Sequence, residues 1–126
     1  VTRALRFTVP PFGLEPYTDF ALAPVEGAVG LFRLTAAGDP SLRLFVLDAA
    51  VHLPDYRPDV SIAHRTEVGL TETDSPELFV VVTPGAGTST VNLLAPIVVN
   101  ARTGSCQQVI LADSTFGLRE PLLAPA

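Results

Sequence analysis

The stretch Thr90-Val91-Asn92-Leu93-Leu94-Ala95-Pro96-Ile97-Val98-Val99-Asn100 carries the strongest strand signal in the chain. Val91, Leu93, Ala95, Ile97 and Val99 fall on one face at a period of two, the spacing of side chains along a strand. Pro96 interrupts the run. A proline has no N–H to give to a ladder, so an edge position or a bulge is required there. Asn92 and Asn100 are the only asparagines in the chain and bracket the run. They either close turns or present an edge to a partner.

Working outward, Arg102-Thr103-Gly104 turns the chain into a last long strand over 107–111. Leu78 to Val82 is a β-branched strand on the near side. Residues 31–36 and 41–48 are two further strands. The turn Ala37-Gly38-Asp39-Pro40 between them makes a hairpin. In the second strand Leu42, Leu44 and Val46 face one way, and Arg43, Phe45 and Leu47 the other. Apolar side chains on both faces predict a sheet that curls on itself or is covered. Leu5-Arg6-Phe7-Thr8-Val9 alternates as a half-buried strand. Phe20 and Leu22 share a face of another, which ends near Pro24. Residues 60–70 are the one plausible helix, with Asp59 or Ser61 as its N-cap and Gly69 at its end. From Leu118 onward the chain reads as a tail. Seven or eight short strands with turn signals every 8–12 residues argue an antiparallel β-barrel or sandwich.

Composition agrees. The 126 residues suffice for one domain. Hydrophobic residues make up 48% and charged ones 17%, which is a core-building mixture. Val, Ile and Thr supply 30 residues and Pro another 12, favouring strands and turns over long helices. The net charge is −5, and all eight bases are arginines. Without lysine there is no P-loop and no Schiff-base chemistry. The scattered arginines and acidic balance disfavour direct nucleic-acid binding, which needs phosphate neutralisation. Cys106 is the single cysteine, so no internal disulfide forms and a reducing compartment is expected. No apolar run approaches the ~20 residues of a membrane span. A cytoplasmic protein is the expectation.

No enzyme constellation emerges. His52 and His64 lack further ligands at metal spacing and read as structural or surface histidines. Gly85-Ala86-Gly87-Thr88 reads as a hairpin loop joining two strands. Asp113-Ser114-Thr115 reads as a turn. Neither a cofactor nor a metal is expected. Pro54-Asp55-Tyr56 and the asparagine-bracketed strand stand out as a region that can offer a partner an edge or groove.

At this point a resemblance adds to the reading. Val91 to Asn100 resembles the N-L-x-A-P-[IV]-V-[IV]-N signature of the flagellar assembly factor FliW family. Phe12-Gly13-Leu14 with Phe20-Ala21-Leu22, Leu53-Pro54-Asp55-Tyr56, Gln108-Val109-Ile110-Leu111-Ala112-Asp113 and Arg119-Glu120-Pro121-Leu122 resemble further family elements in the same order. Together they span about residues 7–122. Thr35-Ala36 departs from the usual Q-S pair, Ala50 from a common proline and His52 from a common aromatic. These departures put partner affinity and selectivity in question.

The resemblance implies an all-β, mostly antiparallel fold: one small β-barrel-like domain over residues 1–126, core about 5–122, with one short helix. It implies a cytoplasmic, non-enzymatic protein that binds CsrA, an RNA-binding translational repressor of flagellin synthesis, and also binds flagellin. An acidic, lysine-free module suits a basic RNA-binding partner, whose RNA its charge would repel. The expected partner surface comprises Asp55, Tyr56, Asn92, Pro96, Asn100, Arg102 and Gln108, with unpaired backbone at Pro96 open to strand addition. A monomer is expected. The alternative is a small barrel holding an apolar ligand among Leu44, Val46, Leu93 and Ile97, marked by a cavity of ~300 Å³ or more.

Overall fold

The computed structural model describes residues 2–71, 73–84, 88–111, 116–117 and 119–121. In chain order its elements are β1 (Arg3–Phe7), β2 (Asp19–Pro24), β3 (Leu31–Ala36), β4 (Asp39–Asp48), α1 (Ala49–His52), α2 (Ile62–Glu67), β5 (Glu77–Thr83), β6 (Thr90–Val91), β7 (Ile97–Val99), β8 (Ser105–Gln108) and β9 (Glu120–Pro121). Seven of the strands, in the order β4-β3-β2-β1-β8-β7-β5, close on themselves through β4–β5 pairing. The fold is thus the expected mostly antiparallel barrel. The parallel pair is β1–β8, with Arg6 opposite Ser105 and Phe7 opposite Cys106. Gly85–Gly87 and Asp113–Thr115 lie outside the described residues.

Alternation decides which side chains enter the barrel. Leu5 and Phe7, Phe20 and Leu22, Leu34 and Ala36, Val46, Phe79, Ile97, Val99 and Cys106 point inward and are nearly fully buried. Phe7 and Phe20 meet edge to face at 5.2 Å, and Phe32 and Phe79 at 5.6 Å. Each such side chain stabilises the fold by about 1.5–3 kcal/mol when buried. Leu44, Val46 and Ile97 do face inward, but they pack into this interior. Leu93 packs outside the barrel, with Leu47, Val80 and Val91. The structure therefore gives the apolar-ligand reading no support.

At one end of the barrel Arg3, inward-facing on β1, reaches across to Glu77 on β5. The pair is bidentate, at 2.9 and 2.8 Å. The hydrogen bond to Glu77 raises the guanidinium pKa further, against burial, with smaller contributions from the charges of Glu77 and Asp48.

Three expectations are corrected. Residues 90–100 are not one strand. Val91 pairs with Val82 and Ile97 with Phe79. Six steps along one chain thus match three along β5, and the surplus leaves the sheet as an excursion through Leu93–Pro96. Pro96, unable to donate, sits in that bulge. The last long strand also ends sooner. β8 stops at Gln108, and the chain then follows the excursion, with Val109 N–H donating to Pro96 O and Leu111 N–H to Leu94 O. Finally, Glu120–Pro121 is no tail but a strand paired with β6.

There are two short helices where one was expected. α2 is capped by Ser61, whose hydroxyl accepts from His64 N–H, and the chain turns away at Gly69 with φ +80°. α1 is a single turn capped by Asp48, which accepts from Ala50 N–H at 3.0 Å. Four residues are too few to show a 3.6-residue period. A proline at position 50 could not make that bond.

Candidate protein-docking surface

Between β4 and β5 the described residues from Ala49 to Pro76 wrap the outside of the barrel. This segment is anchored by two apolar clusters on outward-facing strand residues. One joins Val60, Val68 and Leu70 to Val98, Val109 and Leu111. The other joins Leu53 and Tyr56 to Leu47, Val80, Val91 and Leu93. These clusters explain why β4 and β5 are apolar on both faces.

Residues 48–77 also carry the charge. Asp48, Asp55, Asp59, Glu67, Glu72, Asp74 and Glu77 stand against Arg57 and Arg65, a balance of −5. The other six acids and six arginines cancel, so in sequence residues 48–77 carry the whole net charge; Asp48 and Glu77 belong to the barrel strands that flank the wrap, and Glu77 is paired with Arg3. Asp55, Asp59 and Glu67 are exposed. Thr71 holds the Asp74 carboxyl below the usual carboxylate range through its N–H and side chain, with smaller help from Arg102 and Arg65. A groove of about 400 Å³ runs between Asp48–Arg57 and Pro76–Leu78, with Tyr56 in its wall. Running net charge along the sequence would have shown this layer. Individual motifs could not, since no two of its acids are adjacent.

Four of the seven residues expected at the partner surface meet at the excursion. The Tyr56 hydroxyl donates to Leu93 O, and its ring packs edge to face on Phe116 at 4.9 Å. Burial pushes the Tyr56 phenol pKa well up. Asn92 Oδ1 accepts from both Leu94 N–H and Ala95 N–H at 3.1 Å. Gln108 Nε2 donates to Ala95 O, while its Oε1 accepts from Phe12 N–H. Pro96 is buried.

The expectation of unpaired backbone at Pro96 is overturned. The carbonyls of Leu93, Leu94, Ala95 and Pro96 and the N–H groups of Leu93, Leu94 and Ala95 all have partners within the chain. No partner strand is needed to satisfy them, so strand addition there has no free groups to use.

Asn100 and Arg102 lie apart, at the β7–β8 turn. Asn100 is buried, with 3% exposure. Its Nδ2 donates to Val68 O at 3.0 Å, tying the turn to the end of α2, and its Oδ1 accepts from Arg102 N–H at 3.1 Å. Both asparagines thus close turns. Asp55 and Arg102 are the exposed members of the set.

Among the described residues no three His, Cys, Asp or Glu side chains come together to hold a metal ion, and no helix is long and apolar enough to cross a membrane. His52 Nε2 lies 2.6 Å from Val29 O, and His64 Nδ1 contacts its own N-cap Ser61 at 3.0 Å.

The model of the FliW protein family matches residues 2–122. This chain belongs to the FliW family. Relatives include the flagellar assembly factor FliW of Symbiobacterium thermophilum, 30% identical over 122 residues that cover 92% of this chain and 88% of that protein. That of Bdellovibrio bacteriovorus is 32% identical, covering 94% of this chain and 69% of its own length. A crystal structure of a flagellar assembly factor FliW superposes with a TM-score of 0.85 at 24% identity, covering 96% of this chain and 86% of that one. The barrel with its excursion is therefore a FliW fold. The run from Asn92 to Asn100 gains a physical reading here: Asn92 turns the chain out of the sheet, Pro96 sits where no ladder bond is asked of it, and Asn100 closes the next turn.

Proposed function

We propose that this FliW-family chain is a non-enzymatic cytoplasmic regulator that works by binding proteins. It antagonises a CsrA-type RNA-binding repressor and binds flagellin, coupling flagellin synthesis to filament assembly. One observation carries the reading: residues 48–77, most of which wrap the outside of the barrel, carry a sequence charge of −5, with Asp55, Asp59 and Glu67 exposed on the wrap. Such a layer attracts a basic protein surface and repels the phosphates that would otherwise occupy it. The repulsion reaches about a Debye length, ~8–10 Å at physiological salt, so the layer need not overlap the RNA.

The test is the repressor's affinity for its RNA, with and without this protein, across a salt series. Inhibition should fade as salt rises. Neutralising Asp55, Asp59 and Glu67 together, all exposed, should weaken it without lowering the melting temperature. Inhibition indifferent to salt and to those substitutions would reject the electrostatic mechanism.

A further inference from the structure

Among the described residues the acidic layer does not cover the outer face of β1–β4. On the outer face of β1–β4 the register places Ala4, Ala21, Thr35 and Arg43 in one row and Ala23, Arg33 and Phe45 in the next. Arg6, opposite Asp19, stands beside them. This face reverses the sign of the molecule: three arginines against one acid.

Arg6 is paired with Asp19 at 3.1 Å, with both side chains largely exposed. Arg33 and Arg43 are different. They are exposed diagonal neighbours, and among the described residues neither makes a salt bridge or a side-chain hydrogen bond. Like charges this close on a sheet face repel. Among the described residues no carboxylate oxygen lies within 4.0 Å of either guanidinium. The Arg33 guanidinium lies over the half-buried Phe45 ring at 5.8 Å, which holds it in place while leaving its N–H groups free to donate. Next to this pair, a groove of about 710 Å³ runs along β1 and β2, floored by Ala4 and Ala21 and flanked by Arg6, Asp19 and Thr103.

The geometry points to a second docking surface, on the outer face of β1–β4, for an acidic polypeptide segment that carries an apolar side chain. Carboxylates of the segment pair with Arg33 and Arg43, which bind them bidentately, and its apolar side chain enters the alanine-floored groove. The segment lies across the face, because the strands beneath it are paired on both sides. A nucleic acid is disfavoured as occupant: a long polyanion would also meet the acidic wrapping layer. This surface goes beyond the proposed antagonism, which rests on the opposite, acidic layer.

The probe is a fluorescein-labelled peptide in which glutamates flank a single phenylalanine, followed by anisotropy against the full chain. A counterpart with lysines in place of the glutamates and a single-stranded RNA of equal charge serve as comparisons. The acidic peptide should bind, more weakly as salt rises, and the other two should not. Replacing Arg33→Glu and Arg43→Glu together should weaken it by about tenfold or more, with Arg33→Gln and Arg43→Gln intermediate and the melting temperature held. Arg57→Glu, on the acidic layer, should leave it unchanged. Peptide binding that is absent, or equally sensitive to Arg57→Glu, overturns the proposal, as does RNA binding with the same dependence on Arg33 and Arg43. Failure of repressor antagonism with peptide binding intact would sink the other reading and spare this one.

Discussion

The two asparagines that bracket the family motif should respond in opposite ways to the same conservative change. Among the described residues the Asn92 side chain only accepts: its Oδ1 takes the N–H groups of Leu94 and Ala95. A carboxylate does this at least as well, since a charged acceptor strengthens the bonds. Asn92→Asp should therefore stay within about 0.5 kcal/mol of the parent. Asn92→Ala frees two N–H groups at a turn built like a helix N-cap and should cost about 1–2 kcal/mol. Asn100 both donates and accepts, inside the protein. Asn100→Ala strands the Val68 carbonyl and should cost about 2–3 kcal/mol. Asn100→Asp places a carboxylate against that carbonyl and should cost more, about 3–4 kcal/mol.

At this chain length 1 kcal/mol moves the melting temperature by about 3–6 °C. Asn100→Asp should then melt about 10–20 °C lower and Asn92→Asp at nearly the parent temperature. Thermal melts followed by circular dichroism, checked by urea titration with unchanged slope, measure both. There is a pH signature as well. The introduced carboxyl at 100 is favoured in its protonated, donating form, so its folded pKa lies above its unfolded value. Its stability deficit should then shrink as pH falls toward the ordinary carboxylate range and grow as pH rises through the folded value. An Asn100→Asp protein that melts with the parent but no longer binds the repressor would refute this reasoning, because Asn100 would then be a contact and not a tie.

Four further outcomes follow from the structure. A Cβ at Gly104, where φ is +79°, would sit 2.7 Å from Ala4 O, so Gly104→Ala should cost more than about 2 kcal/mol in a urea titration. Burial pushes the Cys106 thiol up to about 12; it should resist Ellman's reagent until the protein unfolds. The unfolded thiol sheds its proton at about 8.5, so above that pH stability should fall by up to about 1.4 kcal/mol per unit, a slope that Cys106→Ala should reduce and that the raised Tyr56 phenol should steepen above about 10. Tyr56→Phe leaves the ring on Phe116 but strips Leu93 O of its donor, and should cost about 1 kcal/mol in a melt, against about 3 kcal/mol or more for Tyr56→Ala.

Sequence periodicity exposed the barrel because closure needs alternation, and alternation is visible wherever one face is apolar. β2, β3 and β5 were legible for that reason. The two apolar faces of the 41–48 strand correctly announced a covered sheet, but not what covers it. The 90–100 run misled because period two does not record hydrogen bonding. Leu93 and Ala95 keep the alternation while the chain has left the ladder, and only Pro96 signalled the break. β9 was invisible because two residues carry no period, and α1 because four make a single turn. At the candidate site, Tyr56, Asn92, Pro96 and Gln108 were found together because they serve one excursion. The sequence points to them as contacts, yet much of what they do is turn-closing and anchoring inside the chain. The acidic layer shows in a running net charge along the sequence but in no single motif, because its acids are spread over thirty residues.

Closure of the barrel shapes how the protein can bind anything. A sheet with open edges recruits partners through its backbone, but each strand of the closed barrel, β4-β3-β2-β1-β8-β7-β5, is paired on both sides, and the excursion satisfies its own polar groups. Recognition must then come from side chains on the outer faces, where charge sorts partners more than it sets affinity. Here the outer faces are sorted in advance. Residues 48–77 carry five net negative charges in sequence, with Asp55, Asp59 and Glu67 exposed on the wrapping layer, while the outer β1–β4 face holds Arg33 and Arg43, which make no salt bridge among the described residues. Two partners of opposite charge could each find a face that repels the other, and neither would need the barrel to change shape.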